Sequence, residues 1–223
     1  MGFTPFDFGK RQEEIVESVI IFVYEYLCKW RDVPIRPNKE SEKKLNPDLP
    51  KFLTSYAHKA ELGINFFPEE PQEGRRTIDF SVCYDSTEYY NKIITVFECK
   101  RLTKTIGEER TDEYVTGHEK TGGGIQRFKL EVHGKEHEIV GMIGYIQSGT
   151  YSEWLETINN CIGDLCGKPD ENGLNWNKNE LLNTIECDEE NNKYYSKSIH
   201  SRKTRPDITI HHLWIDMQHH NTV

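Results

Sequence analysis

The sequence predicts a single α/β domain, a central mixed β-sheet flanked by helices. Three observations predict it. The chain has 223 residues, enough to bury one substantial core. Two runs rich in β-branched and aromatic residues, Ile78 to Tyr84 and Lys92 to Leu102, are joined by a polar link and read as paired strands. A helix-patterned segment and a further apolar run, Glu138 to Gln147, then follow. That order is a strand–helix–strand unit, which sets the last strand parallel to one of the hairpin strands by a right-handed crossover.

Taken in order, residues 1–10 read as a loose lead. Lys10 to Trp30 reads as a helix, because Ile15, Val19, Phe22, Val23 and Tyr26 recur at helical spacing. Asp32 to Pro50 is rich in proline, asparagine and lysine and reads as a long surface connection. Lys51 to Gly63 reads as a short helix stopped by Gly63. Ile64 to Phe67 is a first strand, and Pro68 to Gly74 a turn into the hairpin. Thr103 to Gly124 is polar, without periodicity, and reads as a mobile functional loop within reach of a cleft. Ile125 to His133 reads as a short helix with Ile125, Phe128 and Val132 inward and Gln126, Arg127 and Lys129 on the polar side. Glu138 to Gln147 is a central strand, where Gly141 and Gly144 allow close packing. Ser152 to Cys166 is an amphipathic helix with Ser152 as its N-cap. Gly167 to Asn179 is a loop. Leu181 to Cys187, Lys193 to Ile199 and Ile208 to Met217 are late strands, expected at an edge or in a small second sheet.

Composition narrows the function classes. No apolar run approaches the roughly 20 residues of a membrane span. The start lacks the basic and apolar regions of a signal peptide, and Phe6 stands where a myristoylation motif wants Ser or Thr. Cys28, Cys83, Cys99, Cys161, Cys166 and Cys187 are scattered and read as reduced thiols of a cytoplasmic protein. Cys161 and Cys166 have no second Cys/His pair at zinc-finger spacing. A formal net charge of −9 argues against a protein that coats nucleic acid nonspecifically, while leaving room for a local basic groove or a partner's surface.

The chemistry concentrates in the hairpin. A loop over Ser86 to Asn91 pairs Asp85 with Lys92, Cys83 with Ile94, Ser81 with Val96 and Asp79 with Glu98. Asp79 and Glu98 then lie side by side on one face, with Lys100 just beyond. Like charges directly opposite destabilise a sheet, so a cation is expected between them. Carboxylate oxygens suit Mg²⁺ or Mn²⁺, and a neighbouring ammonium can hold a phosphate oxygen or a water. Together these are the parts of a metal-assisted phosphodiester hydrolysis site. The plainer reading pairs Asp79 with Arg75 or Arg76 and leaves Glu98 and Lys100 at a solvated strand end.

Asp79, followed by Glu98-Cys99-Lys100 on the next strand, resembles the motif of the PD-(D/E)xK nuclease superfamily, with its restriction-endonuclease-like fold. The sequence departs from it at Ile78, where the motif has proline. The resemblance implies a Mg²⁺- or Mn²⁺-dependent nuclease, on DNA before RNA, of the kind common in restriction and antiviral defence. It implies that Asp79, Glu98 and the backbone carbonyl of Cys99 hold the ion, and that Lys100 orients water and steadies charge on phosphate. It also implies a first-helix glutamate near the ion, Glu17, with Glu13 and Glu14 as alternatives. Gln126 and Arg127 match positions on the helix after the motif that touch water or phosphate, and Arg76 is a further substrate-binding candidate. The expected association is a homodimer or a subunit of a larger complex. The competing class is a non-catalytic nucleic-acid-binding or assembly module that keeps the fold.

Other motifs are weaker. Pro47-Asp48, Pro169-Asp170 and Pro206-Asp207 are followed by no suitable Glu-x-Lys. His133 and His137 are separated by Gly134 and make a doubtful metal pair, and His211 and His212 point to opposite faces of one strand. Lys197 to Arg205 is the densest basic run, either a phosphate track or a solvated loop.

Overall fold

In the computed structural model, which describes residues 11–72, 76–86, 92–104, 111–116, 122–168 and 173–218, one seven-stranded sheet runs through the chain. The strands are β1 (Ile64–Gln72), β2 (Arg76–Tyr84), β3 (Ile93–Leu102), β4 (Ile139–Ile146), β5 (Asn183–Asp188), β6 (Lys193–His200) and β7 (Ile208–Asp216). Their order is β1-β2-β3-β4-β7-β6-β5. The two central pairs, β3–β4 and β4–β7, are parallel, and the four outer pairs are antiparallel. The helices are α1 (Gln12–Asp32), α2 (Glu42–Lys59), α3 (Gly124–Lys129) and α4 (Tyr151–Leu165). α1 and α2 pack on one face of the sheet, α3 and α4 on the other, each over its own apolar cluster. The result is a single α/β domain, and none of its described helices is long and apolar enough to cross a membrane.

The hairpin register holds in its middle, slips at one end and stops short of the expected Asp79–Glu98 pair at the other. Phe80–Phe97, Ser81–Val96 and Val82–Thr95 pair as the loop length predicts. A bulge after Val82 then sets Cys83 on Ile93 rather than Ile94, because the extra residue Ile94 is accommodated on β3. The Tyr84 amide donates to the Lys92 carbonyl at 3.4 Å, so Asp85 does not face Lys92. In the other direction β2 leaves β3 after Phe80. It continues on β1 to Gln72–Arg76, while β3 continues on β4.

Four further expectations need correction. Asp32 to Pro50 is not all connection, since α2 begins at Glu42 and carries Pro47 and Pro50 inside it. A proline in a helix interior costs about 3 kcal/mol. Leu45, Leu49, Leu53 and Ala57 repeat at four-residue spacing and are fully buried, and each leucine recovers about 1.5–3 kcal/mol. Pro68 to Gln72 belongs to β1 rather than to a turn. The last strand forms no second sheet, for β7 lies between β4 and β6 in the centre of the one sheet. At α4 the N-cap is Thr150 instead of Ser152, in a capping box with Glu153. Gly141 does allow close packing: a β-carbon there would lie 2.1 Å from the Phe97 ring.

The loop expected over Thr103 to Gly124 lies partly outside the described residues. Within it Thr111–Tyr114 forms a 3₁₀ turn, and Tyr114 and Val115 are buried in the second cluster. Tyr114 Oη accepts from Trp214 Nε1 at 2.8 Å and lies 2.8 Å from His212 Nδ1.

Lys129, expected on the polar side, is fully buried. Its ammonium donates to both Glu180 oxygens at 2.7 and 2.8 Å. Glu180 also accepts from the Ser201 amide and lies 3.4 Å from His200 Nδ1. This pair ties α3 to the short 3₁₀ turn Lys178–Glu180 before β5. Burial alone would raise the Glu180 pKa, but His200 and Lys129 outweigh it and hold it at about 2. The unfolded carboxyl takes up its proton near 4.5, so the pair's contribution is complete above that pH and is lost as pH falls toward 2. Melting followed from pH 7 to pH 2 should therefore show a steep loss below about pH 4.5. Lys129→Met, which leaves Glu180 buried and unpaired, should cost about 3–5 kcal/mol at pH 7 and flatten that loss.

Candidate functional site

Where β2 and β3 part, the Asp79 carboxylate takes the place of the missing backbone acceptor. Its Oδ2 accepts the Cys99 amide at 2.6 Å, and its Oδ1 accepts from Asn46 Nδ2 at 2.7 Å. Glu98 lies on the adjoining strand, 1% exposed, with every oxygen engaged. Its Oε1 accepts from Lys100 Nζ at 2.7 Å and Arg127 Nη1 at 2.8 Å, and His133 Nδ1 lies 3.0 Å from its Oε2. An ionised carboxylate only accepts, so His133 carries its proton on Nδ1. Asp79, Glu98 and Lys100 are thus brought together, and Arg127 joins them from α3.

The two carboxyls are pushed in opposite directions. Burial, and then the charge of Glu98, push Asp79 up to about 7. Burial works against the Glu98 charge as well, but Lys100, His133 and Arg127 outweigh it and hold Glu98 well below the usual carboxylate range. Lys100 is buried too, yet Glu98, Asp79 and Glu42 raise its pKa above the ordinary lysine value. It is therefore an ammonium, a donor rather than a proton acceptor. Environments that push neighbouring groups apart in this way concentrate at functional sites.

α2 supplies residues that the sequence reading missed. Glu42 and Asn46 stand four apart and share a helical face. Glu42 Oε1 accepts the Arg101 amide at 2.9 Å, while Asn46 holds Asp79. With Lys43, Pro47, Glu69 and Asp79 they line a cleft of about 490 Å³. Glu69 stands in β1 with φ 57°, in the left-handed region. The Ser41-Glu42 start and the Leu45/Leu49/Leu53 repeat were the available signals for this helix, obscured by its prolines. His133, weighed in sequence only as a metal pair with His137 across Gly134, instead meets Glu98, 35 positions earlier in the chain.

The other expected residues fall elsewhere. α1 runs toward β6 and β7, where Tyr24 Oη reaches the Lys193 carbonyl and Arg31 the Asp216 carbonyl. Glu17 is exposed there, and after burial its charge is the next cause that pushes Tyr195 of β6 up to about 12. Glu13 lines a separate pocket with Ile94 and His137, and Glu14 pairs with Arg11 at 2.9 Å. Gln126 is 4% exposed, with a buried Oε1 that has no hydrogen-bond partner. The Arg76 side chain and Asp170 lie outside the described residues. In the basic run, Arg202 donates to the Lys135 and His137 carbonyls and Arg205 pairs with Glu136, so both clasp the turn before β4. Asp48 accepts from Trp30 Nε1, a structural role. The Cys99 thiol is buried, and no cysteine is in a disulfide.

Among the described residues no group of three or more His, Cys, Asp or Glu side chains is placed to hold a metal ion. Compared with known proteins, the chain gives no match to a family model, to a curated protein or to a solved structure.

The site's internal pairing has a measurable cost. Glu98→Ala removes the acceptor shared by three donors and leaves Lys100 buried without its partner. It should lower stability by about 3–5 kcal/mol in urea unfolding. Asp79→Asn keeps an acceptor for the Cys99 amide and should cost less than about 2 kcal/mol.

Proposed function

We propose that the protein is a divalent-metal-dependent nuclease acting at the junction of β2 and β3. The observation that carries this reading is the convergence of Asp79, Glu98 and Lys100 where the two strands separate, beside a cleft lined by Glu42, Glu69 and Asp79. The residues fit a hard ion in kind and in capacity. Carboxylate oxygens are the donors Mg²⁺ and Mn²⁺ prefer. Each oxygen can accept twice, and both Asp79 oxygens and Glu98 Oε2 show one bond apiece. Asp79 and Glu98 would hold the ion, with the Cys99 carbonyl as a further donor, and water and phosphate would complete the set. The bound ion would supply Lewis acidity and a nucleophilic water at neutral pH.

The protein's own groups have separate tasks on this reading. Asn46 and the Cys99 amide fix both oxygens of Asp79, so the carboxylate does not turn away from the cleft. Glu98 holds the Lys100 ammonium, which donates to the water or to the phosphate oxygen as charge develops there. Arg127 steadies Glu98 from α3. DNA is the preferred substrate and RNA the alternative, and a restriction or antiviral setting, with a homodimer or a larger complex, follows from the family resemblance.

The second reading is a non-catalytic nucleic-acid-binding or assembly module. Engagement of both Glu98 oxygens by three internal donors favours it, because that charge is already balanced without an ion.

Cleavage of supercoiled, linear and single-stranded DNA and of RNA, with Mg²⁺ or Mn²⁺, separates the two. Metal-dependent cleavage that falls at least about 100-fold in both Asp79→Asn and Lys100→Met, with circular dichroism unchanged, is the expected result. Cleavage equal to the parent's in both variants would refute the assignment, and binding of nucleic acid without cleavage would establish the module.

A further inference from the structure

We infer that His133 is a positioning residue for Glu98, fixing the plane of its carboxylate; the inference deepens the nuclease reading and rests on it. The last torsion of a glutamate is broad and roughly two-fold, so a carboxylate tethered through one oxygen still turns. Lys100 and Arg127 both engage Oε1. His133 alone engages Oε2, at 3.0 Å, among the hydrogen bonds to Glu98. One bond from the α3–β4 turn therefore sets which way the remaining lone pair of Oε2 is presented.

The surrounding chain is built to aim this ring. His133 is 2% exposed and meets Phe128 edge-on, with centroids 6.5 Å apart. Glu131 and Gly134 flank it in left-handed backbone, at φ 59° and 60°. A side chain at Gly134 is strained by that backbone, and its β-carbon would lie 3.1 Å from the Phe128 ring. The Gly134 amide donates to Gln72 Oε1 at 3.2 Å, which ties the turn to the end of β1. Glu131 accepts from the Thr204 and Arg205 amides, which ties it to the loop before β7. On the other side of the turn, Lys129 is locked to Glu180. His137, four residues on, donates its amide to the Gly134 carbonyl at 3.0 Å, and its side chain lines a groove with Gln12 and Glu136.

The test compares His133→Asn, whose amide nitrogen can stand near Nδ1 and donate, with His133→Phe, which cannot. Mn²⁺ affinity is read by electron paramagnetic resonance, and folding by circular dichroism. Partners of this kind around a metal site are worth about 10–100-fold in affinity. His133→Phe should weaken Mn²⁺ binding by about that factor with the fold intact, while His133→Asn stays close to the parent. Parent-like binding by His133→Phe would overturn the inference, as would an equal loss in both variants. If the parent itself binds no Mn²⁺ and cleaves nothing, the nuclease reading fails. The positioning is then read without metal, from the side-chain carboxyl ¹³C resonance of Glu98. A shift in His133→Phe that His133→Asn does not produce supports it, and an unmoved resonance in His133→Phe overturns it.

Discussion

Burying the charge of Glu98 in the middle of a sheet is the constraint from which the arrangement around it follows. A lone carboxylate at 1% exposure would be driven to its neutral form. The chain instead keeps it ionised with donors from three places: its own strand, α3, and the turn after α3. Each donor has to be held in turn. Lys100 is fixed by strand alternation, two residues on. Arg127 needs α3 seated, and Lys129 seats it through Glu180. His133 needs a turn with two left-handed residues, and those are pinned from β1 and from the loop before β7. One buried charge thus prescribes contacts over much of one face.

The second element of the site is a local break in pairing. β2 and β3 are neighbours through Phe80 and Phe97, where the two rings stack 4.6 Å apart. Beyond that point each strand keeps only its outer partner. The freed Cys99 amide is satisfied by Asp79, so a side chain does the work of a backbone carbonyl. That exchange leaves a cleft at the sheet's surface and still meets the rule that buried amides are bonded. α2 closes the cleft from above with Glu42 on one strand and Asn46 on the other. The prolines of α2 are tolerable because its leucine stripe, and not backbone bonding alone, holds it down.

How much of this was legible depended on whether the signal was local. The strand pair, the parallel β4 and the first helix come from alternation, apolar runs and a short loop, and the structure bears out each of them as fold; the expected Asp79–Glu98 pair is not formed, because the strands part beyond Phe80 and Phe97. What failed was non-local. The start of α2 was masked by Pro47 and Pro50, which read as a connection until the four-residue leucine spacing is weighed against them. The place of β7 in the sheet depends on competition among strands far apart in sequence. Lys129, read as a surface residue, is buried because Glu180 arrives 51 positions later. Glu17 lay on the expected helix, but the direction of α1 is set by Tyr24 and Arg31 meeting β6 and β7, contacts that helical periodicity does not contain.

The same distinction explains why the site itself was only half visible. Asp79, Glu98 and Lys100 come from one hairpin, whose register holds as far as Phe80–Phe97 and whose strands part where these three stand. Asn46, Glu42 and His133 reach them only through tertiary packing, from elements whose sequence gives helix or turn but no direction. Charge patterning misleads here as well. The net charge of −9 describes the surface average, whereas the site keeps Lys100, Arg127 and His133 gathered on one carboxylate. Those donors are turned toward Glu98, and the cleft beside Asp79 is faced by Glu42 and Glu69 with Lys43 as the one basic residue lining it among the described residues. A polyanion approaching that cleft meets carboxylates first. On the nuclease reading, an ion held by Asp79 and Glu98 would supply, besides its Lewis acidity, the positive charge that Glu42 and Glu69 deny to the surface a phosphate must approach.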